Sequence, residues 1–237
     1  MSNTEHTLKQ FDAELEAIRA RVLQMGGLVE EQTVRAMDAL TGGNTQLAAR
    51  VVEDDHRVNA LEVAIDEDCS TIIARRQPAA GDLRMIMMVV KTITDLERIG
   101  DEAAKIARMA QLIYEGDRPY IPRTGEIRRV ADIALGMLRS ALDAFARLDL
   151  AVAAKVVRQD EHVDDAFRGI LRQLITFMME DPRTISHAIE ILFVAKAIER
   201  IGDHAKNMSE YVVYMVKGKD VRHIGVEGFE REALTQH

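Results

Sequence analysis

The sequence predicts an all-α protein made of two pseudo-symmetric three-helix bundles, and three observations support this fold class. The 237 residues are rich in Ala, Leu, Ile, Met, Arg and Glu, with only four prolines and no tryptophan, a composition typical of helices. Apolar residues recur every three or four positions along most of the chain, which is the period of one helical face. The pentapeptide Glu-Arg-Ile-Gly-Asp occurs twice, at residues 97–101 and 199–203, which indicates a duplicated unit.

The first half is predicted to contain three helices separated by turn residues. The first apolar stripe ends at Gly42-Gly43. Asn44 then suits the N-cap of a second helix, because its short side chain can accept a backbone hydrogen bond. That helix continues to Gln77-Pro78, since the residue before a proline disfavours the helical conformation. Asp82 is the expected cap of the third helix, which leads to a proline-containing linker at residues 119–122.

The second half repeats this plan. A fourth helix starts near Ile127, and Asp149 is the expected N-cap of a fifth helix that stops at Asp181-Pro182. The sixth helix runs from about Thr184 to Val216. The order of helices is therefore the same in both halves.

The halves also align in register. Asp55 meets Asp160 at an offset of 105 residues, whereas the pentapeptides lie 102 residues apart (199 − 97), so the second hairpin loop is three residues shorter. We expect a first repeat at residues 1–117, a second at 123–217, and a polar, frayed tail at 218–237.

Composition and charge argue against several classes of protein. The net charge of −8 is unfavourable for general binding to nucleic acid or anionic lipid. Cys69 is the only cysteine, so no intrachain disulfide can form and a reducing compartment is expected. The N-terminal residues lack a signal-peptide pattern, and no window approaches the ~18 apolar residues of a membrane span. We therefore predict a cytoplasmic protein without a membrane anchor in this sequence.

Each copy of the pentapeptide places two carboxylates one helical turn apart, Glu97 with Asp101 and Glu199 with Asp203. Acids at this spacing repel each other by roughly 0.2–0.5 kcal/mol. A glycine within a helix costs about 1 kcal/mol relative to alanine. A bound cation is the simplest reason for both penalties to occur twice.

Neighbouring helices are expected to bring further oxygen ligands to these pairs. Antiparallel helices joined by a short loop place residues that are equally distant from the loop at the same height, and the second loop lies near residues 181–182. The predicted ligands are therefore Asp160, Asp164, Glu199 and Asp203 in the second half and, at the repeat offset, Asp55, Asn59, Glu97 and Asp101 in the first. Such ligands suit Mg²⁺, Mn²⁺, Fe or Zn²⁺, and the second set, with four carboxylates against three, should bind more tightly.

Simpler interpretations of these acids stay open. Arg98 and Arg200 could neutralise a solvated acidic face that binds no metal. Glu62 and Asp66 form another pair one turn apart, but they have no acidic counterparts in the second half and are expected on a solvated face. His204, which follows Asp203 and replaces Glu102 of the first copy, could be a further ligand, although a surface position is favoured.

Two segments resemble the signatures of a known family. Arg76-Gln77-Pro78 and Gly81-Asp82-Leu83-Arg84, followed by residues 94–103, are similar to the first signature of the PhoU family of bacterial phosphate-signalling regulators. Residues 198–205, followed by residues 218–223, resemble the second. The resemblance covers nearly the whole chain and implies two three-helix bundles, a homodimer, and metal bound through the paired acids.

The resemblance also implies a function. PhoU proteins are negative regulators of the phosphate-starvation response and of phosphate uptake. They act between the ATPase subunit of the Pst phosphate transporter (PstB-like) and a PhoR-like histidine kinase. The expected chain is therefore a metal-binding adaptor without catalytic activity and without nucleic-acid binding. The alternatives are a carboxylate-bridged metalloenzyme on a helical bundle and a helical scaffold that binds no metal.

Overall fold

The computed structural model describes residues 2–115 and 124–235, and within these ranges the regular structure is entirely helical. This confirms the predicted all-α fold class. The elements, in chain order, are α1 (Ser2–Gly42), α2 (Thr45–Asp54), α3 (His56–Arg76), α4 (Ala80–Tyr114), α5 (Thr124–Arg147), α6 (Leu150–Glu180), a one-turn 3₁₀ helix (Pro182–Thr184), α7 (Ile185–Lys217) and α8 (Gly225–Leu234). The linker predicted at residues 119–122 lies outside the described residues.

Two of the predicted helix caps are present. The side chain of Asn44 accepts a hydrogen bond from the backbone N–H of Leu47 at 2.9 Å. Asp149 accepts from the backbone N–H groups of Ala151 and Val152 at 2.9 and 3.0 Å. Each side chain satisfies amides that the first turn of a helix leaves without a partner.

Two predicted boundaries are wrong. The second helix of the first half is interrupted at Asp55, which separates α2 from α3. Its backbone remains right-handed helical (φ −56°, ψ −34°), and its carbonyl accepts from the N–H of Val58, three residues on, at 3.0 Å, so the interruption is a local change in the hydrogen-bond pattern. Asp82 lies in the first turn of α4 rather than at its N-cap, which is Ala79. There its charge still complements the positive end of the helix dipole.

Helices α4 and α7 form the centre of the molecule. Their contacting faces are rich in small and β-branched residues, and the two helices pack against each other. Asp95 of α4 contacts His204 of α7, and Glu102 contacts Arg200, so the helices run antiparallel. Helices α1 and α5 also pack together, while α6 packs on α5 and α7. We call the α4–α7 contact the seam.

The C-terminal segment is not the frayed tail that its polar composition predicts. Residues 225–234 form α8, which packs on α6. Phe229 and Ala233 are buried, because their spacing of four places both side chains on one helical face. Glu230 forms an ion pair with Arg158 of α6. The two glycines of this short helix interrupt its apolar pattern, so the sequence did not predict the helix.

Among the helices of residues 2–115 and 124–235, none combines the length and the hydropathy needed to cross a bilayer.

Candidate functional site

Four carboxylates lie close together in the first half. Two are on α4, and two are on the facing segment that runs from the α2–α3 junction into α3. We call Asp55, Glu62, Glu97 and Asp101 the first-half cluster. Burial raises the pKa of Glu97, and the charges of Asp101, Glu62 and Asp55 raise it further. Burial likewise raises the pKa of Asp101, followed by the charge of Asp55. The like charges are therefore close enough to oppose each other's ionisation.

The fourth member of this cluster differs from the prediction. Asn59 is exposed and its side chain makes no hydrogen bond with a described residue, whereas Glu62 is among the charges that act on Glu97. The expected difference in loop length is wrong, because residues 77–79 join α3 to α4 whereas residues 181–184, which include the 3₁₀ turn, join α6 to α7. The three extra residues of the first half lie in its helices. The repeat offset alone did not indicate that Glu62 faces Glu97, and Glu62 was wrongly assigned to a solvated face.

Gln32 of α1 contacts the first-half cluster at Asp55. Its side-chain amide donates to Asp55 Oδ1 at 2.7 Å and to the Gly100 carbonyl at 3.3 Å. A Cβ atom at Gly100 would lie 3.2 Å from Gln32 Oε1 and 3.5 Å from Asp55 Oδ1. The glycine of the pentapeptide therefore lets both polar side chains approach α4. No sequence pattern pointed to Gln32, because it lies on a helix remote from both acidic pairs.

The second half brings together the four predicted acids, Asp160 and Asp164 on α6 and Glu199 and Asp203 on α7. We call them the second-half cluster. Burial raises the pKa of Asp203 to about 6, with contributions from the charges of Glu199, Asp160 and Asp164. These four acids therefore lie on facing helices, as the register predicted from a turn near residues 181–182 requires.

Two lysines lie within the second-half cluster. Lys206 donates to Asp160 Oδ2 at 2.6 Å, while Asp160 Oδ1 is buried without a described hydrogen-bond partner. Burial raises the pKa of Asp160, and Lys206 opposes this shift. Lys196 donates to both carboxylate oxygens of Glu199, at 2.5 and 2.6 Å. The acidic motifs alone did not indicate either ion pair.

The donor chemistry of both clusters fits an oxygen-preferring cation. The unpartnered Oδ1 of Asp160 is a further acceptor of the kind that such a cation would satisfy. The side chains do not converge on one point as they are placed: within residues 2–115 and 124–235, no group of three or more His, Cys, Asp or Glu residues is close enough to hold a metal ion. The clusters therefore contain ligand types that suit a metal, but these side chains do not form a metal site as they are placed.

His204, expected at the surface, is buried at the seam. Its Nδ1 lies 2.7 Å from Asp95 Oδ1, and Asn207 donates to the same oxygen at 3.4 Å. The corresponding position in the first half is Glu102, which is also buried and paired with Arg200 at 2.9 Å. The sequence did not indicate these contacts, since each joins residues about 100 positions apart.

The family model described as the PhoU domain matches residues 22–110 and again residues 127–212. The chain belongs to the PhoU family. The two PhoU matches start 105 residues apart (127 − 22), which equals the offset at which the halves align.

Several PhoU proteins are similar over nearly their full length. The Pseudomonas putida relative, a phosphate-specific transport system accessory protein PhoU homolog, is 49% identical over 98% of this chain and 90% of its own. The Escherichia coli K12 accessory protein PhoU is 46% identical over 96% of this chain and 93% of its own. These relatives are named accessory proteins and not enzymes, in agreement with the prediction that the chain is not an enzyme.

Two crystal structures of PhoU proteins have the same fold. PhoU from Pseudomonas aeruginosa superposes with a TM-score of 0.84 at 47% identity, covering 88% of this chain and 100% of that one. The phosphate transport system regulatory protein PhoU from Streptococcus pneumoniae gives 0.82 at 27% identity, with coverages of 89% and 99%.

Proposed function

We propose that this chain is an accessory protein of a phosphate-specific transport system and a negative regulator of the phosphate-starvation response. One observation carries the proposal: relatives with that accessory role in their names are 46–49% identical over at least 90% of both chains. The all-helical fold with acidic clusters and an exposed helical surface suits regulation by protein contact.

The partners we propose are the ATPase subunit of the transporter, a histidine kinase of the PhoR type and a second copy of the chain. The protein would work in the cytoplasm and reach the membrane through these partners. The exposed apolar side chains near the α6–α7 turn support binding to another protein, since Met179 is 80% exposed and Phe193 50% exposed.

We further propose that the acidic clusters bind a divalent or iron-type cation. A cation would offset the repulsion that raises the pKa values of Glu97 and Asp203. It would thereby stabilise the α3–α4 and α6–α7 contacts that position the rest of the surface. The cation has a structural role in this proposal and takes part in no reaction.

Complementation tests the regulatory function. The chain is expressed in a bacterium that lacks its own PhoU protein and carries a reporter under a phosphate-starvation promoter. We expect repression of the reporter in phosphate-rich medium and derepression in phosphate-poor medium. Accumulation of folded protein without repression would contradict the proposal.

Affinity purification from the same cells tests the partners. The transporter ATPase and the kinase should co-purify with the chain. Phe193→Ser should reduce this co-purification, while the control Lys155→Ser, at an exposed position of α6, should not. Equal recovery with both variants would exclude the α6–α7 surface as the contact.

A further inference from the structure

A cavity lies at the seam, away from both acidic clusters. It has a volume of about 660 Å³ and is formed by the first turns of α4, the last turns of α7 and the segment that follows α7. Its walls come from residues 80–91 and residues 210–222, which belong to different halves of the chain. We call it the seam pocket.

Two cations of the seam pocket have no anionic partner. The Arg84 guanidinium lies 5.9 Å from the ring centroid of Tyr214, and Lys91 Nζ lies 5.7 Å from that of Tyr211. Neither forms an ion pair with a carboxylate of the described residues. Both side chains are half-buried, so each charge is partly removed from water and is held mainly by an aromatic face. An anion that enters the pocket would interact with both positive charges.

Arg222, the third cation of the pocket, is already neutralised. It donates to both carboxylate oxygens of Asp220, with the Nε contacts at 2.9 and 3.2 Å. This pair holds the pKa of Asp220 well below its ordinary value. The positive charge available to a ligand is therefore that of Arg84 and Lys91.

Gly218 allows Arg84 to take this position. Its backbone is left-handed (φ +68°), which ends α7, and a Cβ atom there would clash with the Arg84 guanidinium. A residue other than glycine would both strain the turn and displace the cation from the pocket wall. The turn after α7 therefore leaves room for the Arg84 guanidinium of α4.

Glu210 adds a hydrogen-bonding group to the opposite wall. Its side chain is only 7% exposed and has no hydrogen bond to a described residue. Burial raises the pKa of Glu210 to about 7, against the effects of Lys206 and Arg222. Near neutral pH, a large fraction of this carboxyl group is uncharged and can donate as well as accept a hydrogen bond.

The volume of the seam pocket and the side chains that line it together indicate the class of ligand. The volume is within the roughly 300–1,000 Å³ of small-molecule sites and far exceeds that of a single phosphate ion. Leu83, Met87 and Met88 give one side of the pocket an apolar surface. Arg84 and Lys91 are seven residues apart, about 10 Å along α4, which a diphosphate spans better than a single phosphate does.

We propose that the seam pocket binds a nucleoside diphosphate or a closely related nucleotide. Arg84 and Lys91 would contact the phosphates, the methionine and leucine side would receive the planar base, and Glu210 would hydrogen-bond its polar edge. This proposal is independent of the partners named above, since it concerns only residues at the seam.

Isothermal titration calorimetry of the full chain with ADP, AMP and inorganic phosphate tests the proposal. We expect one saturable ADP site per chain, weaker binding of AMP, and the weakest binding of inorganic phosphate. Arg84→Met and Lys91→Met should each weaken ADP binding by roughly 10- to 100-fold, because each removes a charge-assisted hydrogen bond to phosphate.

Lys155→Met is the matched control, since it removes an exposed lysine of α6 outside the pocket, and it should leave ADP binding unchanged. The melting temperature of each variant shows that it is folded. If Arg84→Met unfolds the chain, Lys91→Met at its half-exposed position decides the matter. Absence of saturable ADP binding, phosphate binding as tight as ADP binding, or equal losses in Lys91→Met and Lys155→Met would each overturn the proposal.

Discussion

The two halves have the same acid at equivalent positions, Asp55 and Asp160, but they stabilise it in different ways. In the first half, the neutral amide of Gln32 donates to Asp55 at 2.7 Å. The equivalent of Gln32 at offset 105 is Met137, whose side chain lies against the pentapeptide glycine of α7 and cannot donate. Asp160 is instead paired with the ammonium group of Lys206 at 2.6 Å.

This difference changes the charge of the two clusters. The first-half cluster contains four carboxylates, and none of them forms an ion pair with a described residue. In the second-half cluster, Lys206 and Lys196 each neutralise one of the four. Duplication of the helices thus preserved the acids while their partners diverged. Because an incoming cation must displace both ammonium groups from the second cluster, we infer that the first binds cations more tightly.

This inference reverses the order expected from sequence. That expectation counted three carboxylates in the first half, because Asn59 was placed where Glu62 lies, and it counted four unpaired carboxylates in the second. Neither premise agrees with the structure, since Glu62 joins the first cluster and lysines occupy the second.

Loss of the buried ion pair should give the largest effect. Lys206→Met leaves the Asp160 carboxyl group, which is only 3% exposed, without its partner, and we expect a loss of about 3 kcal/mol in the free energy of unfolding. Gln32→Met, which copies Met137 into the first half, removes the hydrogen bonds of Gln32 to Asp55 and to the Gly100 carbonyl and should cost about 1–2 kcal/mol. Urea denaturation of chelator-treated protein measures both. Equal losses would remove the distinction between the halves.

A compensating substitution serves as control for the ion pair. Asp160→Asn in the Lys206→Met background should recover much of the loss, because an amide carries no charge that needs an ammonium partner. A double variant as unstable as Lys206→Met alone would show that the lysine acts through packing of its aliphatic stem instead.

The pH dependence of stability should also differ between the clusters. The folded-state pKa of Asp203 is raised to about 6, so the folded protein retains this proton more strongly than the unfolded chain, and the stability falls as pH rises from about 4 to 6. Asp203→Asn should therefore stabilise the metal-free protein by about 1–2 kcal/mol at pH 7.5 and by little at pH 4. Asp101→Asn should give a smaller gain, since Asp101 is exposed.

Thermal unfolding of both variants at pH 4.5 and 7.5 measures this difference. An equal gain at both pH values would indicate that Asn improves packing or helix propensity, and not that it relieves a buried charge.

The glycines of the two pentapeptides should respond differently to alanine. At Gly202, a Cβ atom would lie 3.5–3.7 Å from Val163 and Met137, which is ordinary contact, so Gly202→Ala should stabilise the protein by up to about 1 kcal/mol. At Gly100, the nearest atoms are Gln32 Oε1 at 3.2 Å and Val58 at 3.4 Å. Gly100→Ala should therefore be neutral or destabilising. Chemical denaturation measures the free energy of unfolding of both variants. A larger increase in stability from Gly100→Ala than from Gly202→Ala would contradict the close approach of Gln32 to Gly100.

Local signals in the sequence were sufficient for part of this structure. Asn44 and Asp149 were identifiable as helix caps because a cap needs only one polar side chain followed by a helical pattern. The second-half cluster was predictable because its helices are joined by a short loop that fixes their register. Each of these features depends on residues that are close together in the chain or joined by one tight turn.

The remainder depends on contacts between distant segments. Gln32 reaches Asp55 from another helix, and Lys206 reaches Asp160 across a helix pair, so no motif contains either partner. The interruption between α2 and α3 at Asp55 has no glycine or proline to indicate it. Arg84 and Tyr214 meet only because α4 and α7 run antiparallel through the centre of the fold. The sequence contains all of these residues but does not show which of them are neighbours.

Calorimetric titration of Mn²⁺ into the chelator-stripped full chain tests the central comparison most directly, with Glu97→Gln and Glu199→Gln as matched variants. We expect the parent protein to bind Mn²⁺, Glu97→Gln to lose the tighter binding event, and Glu199→Gln to keep it. A larger loss from Glu199→Gln would show that the ion pairs do not weaken the second cluster. No Mn²⁺ binding by the parent would show that both clusters are acidic surfaces without a metal.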